Sequence, residues 1–127
     1  MENILNIKKE FKMSIRKPVR KVVVNTREES ERSFTLEYYT LEKEIYLEGE
    51  SKNTYGVEVL KREKTAQGTL RIEYRKVFDV FCTESEARRV ADVLADNTVT
   101  PISVHDVIEQ FIGTDEIEYE EYEVLAV

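Results

Sequence analysis

The spacing of apolar residues changes once along the chain, and that change limits the folds open to it. Through Phe81 the apolar side chains recur mainly at every second position, whereas from Thr83 they recur at every third and fourth. A period of two belongs to strands with one buried face, and a period near 3.6 to amphipathic helices. Strands first and helices afterwards predict an α+β fold: an antiparallel sheet of about three to five strands followed by two short C-terminal helices, not a doubly wound parallel sheet.

Individual segments sharpen this expectation. Pro18 lacks a backbone donor and biases Lys17 toward extended geometry, after which Val22, Val23 and Val24 read as a short strand. A turn is expected in the charged stretch REESER at 27–32. Phe34, Leu36 and Tyr38 then alternate onto one face, and Tyr39 and Leu41 continue on the opposite parity, a phase switch that predicts a bulge or the end of a strand. Ile45 and Leu47 resume the alternation before Gly49. Tyr55, Val57 and Val59 form the next strand, and Leu70, Ile72 and Tyr74 its hairpin partner, with Gly68 supplying the positive φ of a short loop. Val77, Phe78, Val80 and Phe81 occupy both parities, so both faces are expected to be covered there.

The cover is predicted to be helical. Thr83 and Glu86 make a T-x-x-E capping box, in which hydroxyl and carboxylate satisfy free backbone amides. Ala87, Val90, Ala91 and Leu94 give an apolar stripe, and Asn97 suits a left-handed stop. Thr100 and Pro101 begin a second helix with Val104, Val107, Ile108 and Phe111 on one side and Gly113 at its end. At the front, Ile4, Ile7 and Phe11 stand at helical spacing in a weak amphipathic helix over 1–13.

At 127 residues, with 41% hydrophobic and 35% charged side chains, the chain suits one hydrophobic core and not the disordered class. No apolar run approaches the ~18 residues of a spanning helix. The opening MENILNIKKEF has no small-residue cleavage site, so a cytoplasmic location is expected. A single cysteine, Cys82, and a single histidine, His105, argue against an internal disulfide or a His/Cys zinc site, and no cofactor is expected.

Charge is strongly segregated. The net charge of −7 argues against general nucleic-acid affinity, but residues 1–27 contain eight basic and two acidic side chains. The end of the chain holds Asp115, Glu116, Glu118, Glu120, Glu121 and Glu123, with no lysine or arginine after Arg89. This divides the chain into a basic N-terminal extension (1–21), a single α+β domain (22–113) and an acidic C-terminal tail or edge strand (114–127). The candidate interaction residues are Lys8, Lys9, Lys12, Arg16, Lys17, Arg20 and Lys21 at one end and the six acids at the other. Three arrangements stand side by side: the ends pair with each other in one sheet, remain free tails, or bind partners.

YGVEV at 55–59 and above all NTVTPISVHDVIEQF at 97–111 carry a resemblance to a family of uncharacterised proteins from Gram-positive anaerobes, known only as a domain of unknown function. The resemblance covers about residues 22 to 112 and includes the tyrosine-rich FTLEYY strand. It implies a bacterial cytosolic protein. It brings no assigned catalytic or ligand residues.

No catalytic constellation emerges from the spacing. Ser103, His105 and Asp106 diverge around a helix and do not form a triad; a solvent-facing histidine with Asp106 near the positive helix end is the simpler account. Cys82 precedes a helix N-terminus, but burial as a small apolar side chain is expected. Tyr38, Tyr39, Tyr46, Tyr55 and Tyr74 could stack bases, yet strand packing explains them and the RNA-recognition signature is missing. Phosphate-cradling glycine loops are also missing. The sequence therefore favours a non-enzymatic protein-interaction or regulatory module, with an unidentified protein partner and exposed strand edges that permit homo-oligomers. The alternative is nucleic-acid binding through 8–21, and a small histidine-independent enzyme comes third.

Overall fold

The computed structural model describes residues 15–25, 33–112 and 118–126, with Leu47 and the last stretch described by their backbone alone. The helix expected over 1–13, the REESER turn and the Gly113 stop lie outside the described residues, as do Lys8, Lys9, Lys12, Asp115 and Glu116. The described elements are β1 (Ile15–Asn25), β2 (Ser33–Leu47), β3 (Glu50–Lys64), β4 (Leu70–Phe81), α1 (Glu84–Asp96), α2 (Pro101–Ile112) and β5 (Glu118–Ala126). They form a five-stranded antiparallel sheet in the order β1-β2-β3-β4-β5, with both helices inserted between β4 and β5. The α+β expectation is met, and a final strand returns to the sheet after the helices.

Turn chemistry sets the register of the long central hairpins. Glu48 and Gly49 have φ of 53° and 81°, the two positive values that a two-residue turn needs to match strand twist. Between β3 and β4, Gly68 has φ 82° and its N–H donates to the Thr65 carbonyl at 3.0 Å, closing the loop expected around Ala-Gln-Gly.

Both phase switches in the sequence have a different physical origin from the one expected. β2 runs unbroken past Tyr38 and Tyr39; the irregularity lies in β1, between Pro18 and Arg20. Tyr38 faces the helices, while Tyr39 and Leu41 are buried on the opposite side of the sheet. In β4, three residues between Val77 and Phe81 oppose Gly56, and Asp79 there has φ 54°. This bulge brings Val77, Val80 and Phe81 together toward the helix-side core, which explains their mixed parity without two covered faces. Only glycine fits opposite the bulge, because a β-carbon on Gly56 would lie 1.9 Å from the Val77 carbonyl oxygen.

The helix-side core joins Leu36, Tyr38, Val57, Val59 and Val77 to Ala87, Val90, Ala91 and Leu94 of α1 and to Val104 and Ile108 of α2. The small alanines let α1 approach the sheet closely. Its start is the one anticipated: Thr83 is extended and its hydroxyl accepts from the Glu86 N–H at 3.2 Å. Its end is not. Asn97 has φ −99°, and Thr98 instead takes the left-handed conformation at φ 47°. The Val99 N–H reaches the Leu94 carbonyl at 2.9 Å and the Thr98 N–H the Ala95 carbonyl at 3.0 Å, the two bonds of a Schellman stop. Asn97 contributes by donating its side-chain amide to the Val93 carbonyl at 2.8 Å.

The sheet and the helix junction are tied by one polar bond inside the core. The Tyr38 hydroxyl donates to the Val99 carbonyl at 2.9 Å, and burial, opposed by nearby Arg20, pushes its pKa up to about 12. Tyrosine ionises near 10 in an unfolded chain, so this group's stabilisation is complete below that pH and is lost as pH rises through the folded value. Tyr38→Phe should lower stability by about 1–3 kcal/mol at neutral pH by leaving the Val99 carbonyl without its donor. Denaturant titrations across the alkaline range should show the wild-type advantage shrinking above pH about 10. Thr98→Gly should raise stability by about 1 kcal/mol in the same titrations, because it removes a β-branched residue from left-handed backbone.

Candidate functional site

The basic strand is the first place to look for a binding surface, and its geometry divides the cations between two faces. Lys17 and Arg20 fall opposite Thr40 and Tyr38 on the helix side, whereas Arg16 and Lys21 fall opposite Leu41 and Glu37 on the other. The β1 bulge makes this division, since without the extra residue Arg20 would share a face with Arg16 and not with Lys17. Lys17 Nζ lies 3.0 Å from Glu84 Oε1 at the start of α1, and this hydrogen bond holds the lysine pKa above its usual value. Arg20 pairs with the Asp96 carboxylate at the end of α1 and lies 3.4 Å from the Asp92 carbonyl. Two strand cations therefore bracket one helix.

On the open face, Arg16 stacks over Tyr39 with its guanidinium carbon 3.9 Å from the ring centroid, and its Nη1 is 3.5 Å from the Glu58 carboxylate. The Tyr39 hydroxyl donates to Glu37 Oε1 at 2.6 Å, and Arg62 Nε donates to Glu37 Oε2 at 2.6 Å. Arg16, Tyr39, Glu37, Arg62 and Glu58 thus connect three strands. Burial pulls the Glu37 pKa upward, but the hydrogen bonds from Tyr39 and Arg62 outweigh it and hold the carboxylate below its ordinary range. Burial, then Glu37 itself, raises the Tyr39 phenol. Sequence spacing did not single out this network, because its members are joined by register and not by proximity in the chain.

The sheet ends in two edges of opposite character. β1 carries Pro18, a bulge and the cations just described; β5 carries Glu118, Glu120, Glu121 and Glu123 and no cation. β5 pairs with β4 and β1 with β2, so the two charged ends lie at opposite edges and are not neighbours in the sheet. The register sets Glu121 opposite Arg75 and Glu120 opposite Lys76.

Other side chains that the sequence drew attention to have plainer surroundings. His105 is half-buried, not solvent-facing, with Nδ1 3.8 Å from Asp106 Oδ1 and 3.9 Å from Glu109 Oε2. Those three residues have ligand atoms within 4.8 Å of one another, on the flank of α2 where Asp106 is exposed. Ser103 is exposed on the same helix. Cys82 is exposed, contrary to the burial expected of it, because the chain leaves the sheet at Phe81 and bends before the Thr83 cap. Tyr38 and Tyr39 are buried on opposite faces, Tyr55 and Tyr74 are half-buried and Tyr46 is exposed, so the tyrosines do not form one platform.

A family model described as a family of unknown function, DUF6514, matches residues 19–114. The chain belongs to the DUF6514 family. No curated protein and no solved structure matches it. In this DUF6514 chain the matched residues take in most of β1, the three strands after it and both helices, and they exclude β5. None of the described helices is long and apolar enough to cross a membrane. The open-face network therefore lies almost wholly within the DUF6514 match, Arg16 excepted.

The lowered Glu37 pKa gives a signed expectation. Its stabilisation is present above the ordinary carboxylate pKa of 4.5 and is lost as pH falls through the depressed folded value. Thermal melts should show Glu37→Gln less stable than wild type at pH 7, with the two curves converging in acid.

Proposed function

We propose that this DUF6514 chain is a non-enzymatic protein-interaction module that receives an extended, basic segment of a partner protein along the outer edge of β5. The observation that carries this reading is the contrast between the edges. A proline and a bulge are devices that blunt a strand edge against pairing, and β1 has both. β5 has no proline and pairs with β4 in one unbroken register from Glu118 to Ala126, and its four glutamates suit a cationic partner. Strand addition supplies main-chain hydrogen bonds for affinity, while side chains at alternate positions set specificity. A second copy is a poor occupant, because its β5 repeats the same acids and its β1 is blunted.

The engagement of Arg16, Lys17 and Arg20 within the molecule weighs against nucleic-acid binding through 8–21, since those cations already have acidic or aromatic partners. A peptide alternating lysine with valine provides a direct probe. Added to the isotope-labelled full chain, it should shift and protect β5 amides, weaken as salt rises, and fail when its backbone nitrogens are methylated. Undisturbed β5 amides, or equal binding by the methylated peptide, would overturn the assignment. So would polynucleotide binding with a steep salt dependence, which would move the function to the basic segment.

A further inference from the structure

The chain's single histidine stands between two carboxylates. His105, Asp106 and Glu109 of α2 bring one nitrogen and two oxygens to one point on the helix flank, all within 4.8 Å of one another. His105 and Glu109 are four positions apart and so share a helix face, and Asp106 reaches in from the next position. The imidazole Nδ1 lies 3.8 Å from Asp106 Oδ1 and 3.9 Å from Glu109 Oε2, both too long for a hydrogen bond. A metal held at about 2.0–2.2 Å by tetrahedral nitrogen and oxygen donors sets those donors about 3.4 Å apart, so these two separations close on an ion with a shift of about half an ångström. The side chains that must shift are free to do so. Asp106 is 81% and Glu109 41% exposed, whereas His105, at 22%, is the fixed donor onto which they close.

The charge along α2 gives a separate reason for a cation at this point. The C-terminal end of a helix carries partial negative charge. α2 has no basic residue in its last turn, where Glu109 adds a further negative charge, and no lysine or arginine follows Arg89 in the chain. α1 has the same deficit, and Arg20 answers it from β1. Among the described residues, neither Asp106 nor Glu109 pairs with a lysine or an arginine. Two carboxylates this close repel each other, and a shared divalent ion turns that repulsion into attraction.

We propose that His105, Asp106 and Glu109 bind a divalent transition ion of the zinc class on the flank of α2. The nitrogen decides the class. Carboxylates alone suit magnesium and calcium, whereas imidazole added to them favours zinc or nickel. Carboxylates stand here in place of the thiol that a His/Cys site needs, and three protein donors leave a fourth position for water or for a side chain of a bound partner.

This inference does not rest on the β5 edge and is tested apart from it. Calorimetric titration of the untagged full chain should show one saturable site for Zn2+ and for Ni2+ that excess Mg2+ does not displace. Paramagnetic Co2+ should broaden the amides of 102–109 before any others. His105→Ala should weaken Zn2+ binding by about tenfold or more, Glu109→Gln should weaken it in the same direction, and Glu86→Gln on α1 should leave it unchanged. Glu109 is exposed enough that its variant keeps the test open even if His105→Ala does not fold. Absence of saturable Zn2+ binding would overturn the proposal. So would full affinity in a folded His105→Ala or in Glu109→Gln, displacement by Mg2+, or broadening centred on the glutamates of β5.

Discussion

The hydrogen bond from the Tyr38 hydroxyl to the Val99 carbonyl is the contact on which the helical layer depends. Val99 lies between the two helices, and its own N–H is already committed to the Leu94 carbonyl. A single backbone unit thus stops α1, passes the chain to α2 and fastens that junction to the middle of β2. Hydrophobic burial alone is non-directional and would let the helices slide over an apolar sheet face. The buried phenol removes that freedom, because any slide would leave a donor and an acceptor unsatisfied in the core.

A second constraint works at the level of the backbone. Each edge of the four-stranded part contains an irregularity, at Pro18–Arg20 in β1 and opposite Gly56 in β4, and both alter which side chains face the helices. In β1 the extra residue sends Arg20 to the same face as Lys17. In β4 the bulge gathers Val77, Val80 and Phe81 over α2's side of the core. Regular strands would have put part of each group on the other face, so the helix-side core and its flanking ion pairs both require the bulges.

What was legible in the sequence follows from the range of each interaction. The Thr83 cap, the Gly68 loop, the α1 stripe, the α2 stripe apart from the exposed Phe111, and the α+β order depend on residues a few positions apart, and the spacing exposes them. The β1 strand was read as beginning at Val22, seven residues late, because Pro18 and four cations in RKPVRK resemble a solvated extension. Their partners Glu84, Asp96 and Glu58 are distant in sequence, and only the folded register brings them together. The exposure of Cys82 and the left-handed Thr98 were missed for a related reason: each is decided by where the chain must turn, not by the residue's own preference. Tyr39 and Arg16 drew attention singly, but the open-face network was not assembled from the sequence, because only the strand register joins them to Glu37, Glu58 and Arg62.

The placement of β1 cations around α1 also resolves an electrostatic conflict in that helix. Glu84 and Glu86 in its first turn are favourable, since the free N–H groups there carry partial positive charge, but Asp96 at the other end faces the negative pole and no basic residue in the last turn offsets it. A helix so arranged would fray at its C-terminus if it stood alone. Arg20 reaches across from β1 to the Asp96 carboxylate and toward the Asp92 carbonyl, placing a cation where the helix lacks one. Lys17 would be misplaced at the positive end, and Glu84 lies at hydrogen-bond distance to compensate it. The helix is therefore electrostatically complete only when docked on β1. A chain whose strand cations finish a helix in this way has that much less positive charge to offer an external polyanion, while the opposite edge strand, β5, carries four glutamates and no cation.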